Sequence, residues 1–66
     1  MTPFVIKTVQ NTNVIIAPPS IEAIATSDTG CAIYMASGTI WHVSETADLL
    51  LDRILVWGDL QMGGAQ

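Results

Sequence analysis

A sheet that is apolar on both faces must be covered on both, and the stretch CAIYMASGTIWHVS, residues 31–44, has the pattern to build one. Its halves, CAIYMA and TIWHVS, flank Ser37-Gly38, a short polar pair in which Gly38 can take the conformation a tight primed turn requires. A two-residue turn there pairs Met35 with Ile40, Tyr34 with Trp41, Ile33 with His42 and Ala32 with Val43. Alternation then sets Cys31, Ile33, Met35, Ile40 and His42 on one face, and Ala32, Tyr34, Ala36, Trp41 and Val43 on the other. Neither face is polar, so each needs a covering layer.

A chain of 66 residues has little material for such layers, and at this length a domain buries too small a share of its surface to be more than marginally stable. Cys31 is the only cysteine, so no disulfide can close within the chain. A structural metal is no better served, because Cys31 and His42 would have to find two further ligands among scattered carboxylates. No metal and no cofactor is expected. What remains is association with copies of the chain or with a partner, which shares apolar surface that one chain cannot bury. Composition agrees: half the residues are hydrophobic and only 12% are charged, against about a quarter in ordinary soluble domains.

The net charge is −4, with Lys7 and Arg53 the only cations. Counterion release from a phosphate backbone has almost nothing to act through, which disfavours direct binding to nucleic acid. The acidity suits a protein partner with a basic patch better. Met1-Thr2-Pro3-Phe4 has neither a basic stretch nor a long apolar core of the kind a signal peptide needs. The apolar runs fall far short of the ~20 residues that span a bilayer. No membrane contact is expected, and the cytosol, of a bacterium or an infected host cell, is the expected compartment.

Before the apolar hairpin, FVIKTV (Phe4 to Val9) reads as a strand by β-branched content and alternation, and VIIA (Val14 to Ala17) as its partner across a turn at Gln10–Asn13. Pro18-Pro19 ends that pairing, since proline has no N–H to donate. Ile21 to Thr26 suits a short strand, with a helical turn capped by Ser20 as the alternative. After the hairpin, Ser44 is placed to cap a helix from about Glu45 to Trp57, with Gly58 as its stop. Ala47, Leu50, Leu51, Ile54 and Trp57 make its inward stripe; Leu49, Leu55 and Val56 lie outside it. The fold expected is α+β: a small bent antiparallel sheet of two β-hairpins with one C-terminal helix packed on it. Residues 1–58 form the single domain, and 59–66 a tail that ends as a docking strand or frays.

Several of these residues resemble a known family. Ile21-Glu22 with Ile24, then Thr26, Asp28 and Thr29, then the Ser37-Gly38 hairpin and Val43-Ser44-Glu45 before an amphipathic helix, are similar to the pattern of the FlbD-like proteins of bacterial flagella and swarming motility. The likeness covers roughly residues 20–54. It implies a β-hairpin and helix architecture and a flagellar accessory role, and it brings no catalytic residues.

The candidate sites are contacts. Cys31 and His42 share a predicted face but stand diagonally with no third group to orient them, so a buried thiol and an interface histidine fit better than a nucleophile pair. Tyr34 and Trp41, opposed across the hairpin, can anchor a protein interface or stack on a base, with plain core packing an equal alternative. Asp48 and Asp52, four apart, read as a solvated stripe, and Gly63-Gly64 has no helix after it to hold a phosphate. Interface or ligand contacts are therefore expected at Tyr34, Trp41, His42, Leu49, Leu55, Val56 and Trp57. The function these point to is a non-enzymatic protein-interaction module working as a homo-oligomer, of the kind a phage uses to inhibit a bacterial defence protein. The alternative is an oligomer that sequesters a nucleotide-like ligand at its subunit interfaces.

Overall fold

The computed structural model describes residues 3–64. Two small antiparallel sheets and one helix make up the α+β fold. The first sheet pairs β1 (Phe4–Lys7) with β2 (Asn13–Ile16). The second is a meander of β3 (Ile21–Ser27), β4 (Gly30–Met35) and β5 (Ile40–Val43), and α1 (Ala47–Gly64) follows. A bridge between Thr8 and Val43, and the bond that the Val9 N–H donates to the His42 carbonyl, join the two sheets at one corner.

The β1–β2 and β4–β5 hairpins turn by the same device, and it is not the expected one. In the first, Asn11 N–H donates to the Thr8 carbonyl and Thr8 N–H to the Thr12 carbonyl, with Asn11 at φ 66°. In the second, Gly38 N–H donates to the Met35 carbonyl and Met35 N–H to the Thr39 carbonyl, with Gly38 at φ 95°. Each is a three-residue loop whose last residue takes positive φ, the conformation that asparagine and glycine adopt most easily. The first turn therefore spans Thr8–Thr12, so β1 ends at Lys7 and β2 begins at Asn13.

In the second hairpin the extra loop residue shifts the register by one. Cys31 pairs with Val43, Ala32 with His42, Ile33 with Trp41 and Tyr34 with Ile40. Because side chains alternate, a one-residue shift exchanges the faces of a whole strand. Trp41 and Val43 join Cys31 and Ile33 on the core side, while His42 and Ile40 join Ala32 and Tyr34 on the outer side. The expected pairing of Tyr34 with Trp41, and the shared face of Cys31 and His42, are both overturned.

Ile21–Ser27 is a strand, extended one residue beyond expectation and bulged between Ile21 and Ala23. Pro18–Ser20 forms a 3₁₀ turn before it, with proline in the opening positions where an N–H is not needed. The helix is capped by Thr46, whose hydroxyl accepts from the Leu49 N–H at 3.3 Å, and not by Ser44. Nor does it stop at Gly58: it runs on to Gly64, so the expected tail is largely helical, and only residues 65–66 of it lie outside the described residues. Gly58 has helical φ, and the Asp-Leu-Gln-Met that follows contains good helix formers.

One core serves the molecule. Phe4, Ile6 and Ile16 from the first hairpin, Cys31, Ile33 and Val43 from the meander, and Leu50 from the helix are all buried. Ile24, Met35, Trp41, Ala47, Ile54 and Trp57 pack around them. Leu51 does not: it is 49% exposed, leaving the inward stripe at Ala47, Leu50, Ile54 and Trp57. Helix and first hairpin thus cover one face of the meander.

Candidate interaction surfaces

The register leaves the other face of the meander bare. Ala23, Ala25, Ala32, Tyr34, Ile40 and His42 lie on it, and of these only Ala32 is buried. No charged side chain stands among these six; Glu22 is at its rim, in the β3 bulge. Small alanines on two strands beside a tyrosine and an isoleucine give a shallow apolar plane, a shape that packs well against another sheet.

The second surface is the helix. At about 100° per residue, Asp48, Asp52 and Asp59 fall within ~40° of one another and form the outermost strip. Leu49, Val56 and Leu60 run beside it on one flank, and Leu51 and Leu55 on the other. All five are exposed, Leu55 the most at 68%. A helix apolar on three sides is normally buried all round; this one buries a single stripe.

Val56 and Leu60, on the first of these flanks, border a groove between α1 and β1; Leu49 does not line it. One part, about 270 Å³, is lined by Val5, Asp52, Arg53, Val56 and Leu60 among others. An adjoining part of about 480 Å³ is lined by Ile15, Ile16, Ala17 and Pro19; Pro3, Phe4 and Trp57 border both. Arg53 holds its wall in place. Its guanidinium donates to Glu45 Oε1 at 2.6 Å and to the Val5 carbonyl, and lies 4.7 Å from the centroid of the Phe4 ring. A single cation thereby ties the helix to β1 and to the loop before it. Glu45 has its carboxylate on Arg53 and its carbonyl accepting from the Cys31 thiol at 3.3 Å, which keeps it outside the helix and leaves Thr46 to cap. Burial pushes the Cys31 thiol above its usual range, and the nearby Glu45 charge adds to that. A protonated thiol on the core side, with His42 on the opposite face of the sheet, makes no nucleophile pair.

Of the expected contacts, Leu49, Leu55 and Val56 are exposed on the helix, and Trp57 packs on the core while bordering the groove. Tyr34 and His42 lie on the bare sheet face. Trp41 shares a cleft of about 260 Å³ with His42, Thr8, Val9, Gln10, Thr12 and Ile40. Tyr34 is not among its walls, and neither cation of the chain lines it. Sequence reasoning missed Ile15, 70% exposed opposite Val5, and Leu60, which it left in the tail. The alternation in Asn13-Val14-Ile15-Ile16 carries the signal for Ile15.

Comparison of the chain with protein-family models, with characterised proteins and with solved structures gives no match. Among the described residues no group of His, Cys, Asp and Glu is placed to hold a metal ion, and no helix is long and apolar enough to cross a membrane.

Proposed function

We propose that this chain is a non-enzymatic protein-interaction module that self-associates through the bare face of its three-stranded sheet and offers its helix to another protein. The observation that carries the reading is the uncharged face itself, on which Tyr34 is 38% and Ile40 46% exposed. In an isologous pair each copy presents the same patch, so a patch free of like charges is the one that can meet its own image at no electrostatic cost. Each large apolar side chain it covers adds on the order of 1.5–3 kcal/mol. A standard interface takes about 800 Å² from each partner, roughly a sixth of the 4548 Å² this chain exposes.

Inhibition by occupying a partner's surface needs nothing more than such a module, which suits a phage-encoded inhibitor of a bacterial defence protein. The FlbD-like resemblance would instead place the partner among flagellar or swarming proteins. Light scattering on the eluting protein tests the assembly: a particle larger than 7.0 kDa is expected, and Tyr34→Lys with Ile40→Lys reduces it to that mass. A wild-type particle of 7.0 kDa at micromolar concentration sinks the self-association reading.

A further inference from the structure

We infer that the groove between α1 and β1, with Val56 and Leu60 on its helix wall, is the docking site for a basic amphipathic helix of another protein. The inference rests on the interaction-module reading and names the partner's chemistry.

Charge decides the occupant. Asp48, Asp52 and Asp59 run parallel to the apolar flank, and Asp52 itself lines the groove. The one cation there, Arg53, is already engaged by Glu45, the Val5 carbonyl and the Phe4 ring. A second copy docking here would bring its own acidic strip against this one, with only Lys7 left to answer six carboxylates per chain. Anionic lipid and nucleic-acid phosphates meet the same repulsion. A partner that fits must lay apolar side chains into the groove and set a row of lysines or arginines along the aspartates.

Shape favours a helix as the form of that partner. The helix wall of the groove, Asp52 to Leu60, spans ~12 Å at 1.5 Å per residue, the length of about two helical turns. Anchors at i, i+3 or i+4 and i+7 on an incoming helix would meet that row, as amphipathic helices do when they bind hydrophobic grooves. The apolar hollow beside Ile15 and Trp57 gives one large anchor a place to sit.

The test titrates the full chain, by calorimetry, with three synthetic peptides of about five turns. One carries leucines at helical anchor spacing among lysines, one replaces every lysine by glutamate, and one scrambles the first. Saturable binding of the lysine peptide alone is expected. Val56→Ser with Leu60→Ser should weaken it at least ~10-fold, the loss of two buried anchors. Leu51→Ser with Leu55→Ser, on the opposite flank, should leave it within ~2-fold. Asp52→Asn with Asp59→Asn should weaken it several-fold at low salt, an effect that fades as the Debye length drops to about 3 Å near 1 M. Equal loss from the Leu51/Leu55 pair, no loss from the aspartate pair, equal binding of the glutamate peptide, or binding to vesicles of anionic phospholipid would each overturn the inference. If no peptide binds while light scattering still shows a multimer, this inference falls and self-association stands. If no peptide binds and the chain is a monomer, both fall.

Discussion

Gly30 and Gly38 both sit at positive φ, yet replacing each by alanine should have unequal consequences. At Gly38, φ is 95° and a Cβ would meet nothing within 4 Å. The cost is backbone strain alone, about 1–2 kcal/mol for an L-residue in left-handed conformation, offset by the ~0.4–1 kcal/mol that alanine takes from unfolded-state entropy. The net is about 1 kcal/mol. At Gly30, φ is 147° and the added Cβ would press into the Val43 carbonyl and lie 2.8 and 2.9 Å from backbone carbons of Ser44. All three atoms belong to the main chain where β5 hands over to the helix loop, and none is the tip of a side chain that could swing aside. Overpacking of this kind adds about 1–3 kcal/mol or more to the same strain. Gly30→Ala should therefore cost at least ~1 kcal/mol more than Gly38→Ala, which at this size separates their melting temperatures by at least about 4–8 °C. Since total stability at this length is about 3–10 kcal/mol, Gly30→Ala should remove a large share of it. Thermal melts followed by far-ultraviolet circular dichroism measure the gap. Equal melting temperatures would refute the claim that the close approach of β4 to the end of β5, and not φ alone, makes glycine necessary at position 30.

Three further outcomes are expected. Arg53→Met keeps the aliphatic stem and removes the guanidinium; the partly exposed pair with Glu45 contributes only ~0.5 kcal/mol after screening, and the Val5 carbonyl and Phe4 ring contacts about 1 more, so urea midpoints should fall by a matching amount, less so in high salt. Gly58→Ala should stabilise by about 0.5–1 kcal/mol, because the site is helical, has open space around it and gains helix propensity; a lower urea midpoint would contradict the helix running through it. Cys31 is held above its usual 9.0 by burial and then by Glu45, so the native chain keeps a proton that the unfolded chain gives up: its contribution is complete below 9.0 and declines as pH rises beyond it. Denaturation midpoints taken across that range should fall for the wild type, and fall less for Cys31→Ala.

The α+β class and the order of elements were legible because period-two alternation and the apolar stripe of the helix are averages over many residues, which single misplacements do not disturb. Register was not legible, because it hangs on one loop residue. Ser37-Gly38 suits a two-residue primed turn and Ala36-Ser37-Gly38 a three-residue loop equally well by composition, since both want glycine last. The choice between them reversed the places of Trp41 and His42, and with them the candidate site on the sheet. The helix start failed for a similar reason: Ser44 and Thr46 are both good caps, and the contacts of Glu45 with Cys31 and Arg53 that decide between them are long-range. The outward helix residues were read correctly at Leu49, Leu55 and Val56, because spacing alone places them once Leu50 is known to face inward.

That same spacing gives the two surfaces opposite electrical character, and from this follows how they should work together. The sheet face is neutral and can meet its own image; the helix face carries three of the six carboxylates and cannot. Copies joined at the sheet would leave their helices unpaired and outward, so self-association and partner binding should be independent in affinity while multiplying in valency. A joined pair would then bind a target bearing two basic helices more tightly than one site does, by the effective concentration its geometry sets. Tyr34→Lys should accordingly leave peptide affinity per site unchanged, and Val56→Ser with Leu60→Ser should leave the oligomer intact. If Tyr34→Lys abolished peptide binding in a chain that stayed folded, the two surfaces would be halves of one composite site, and the division drawn from their charges would be wrong.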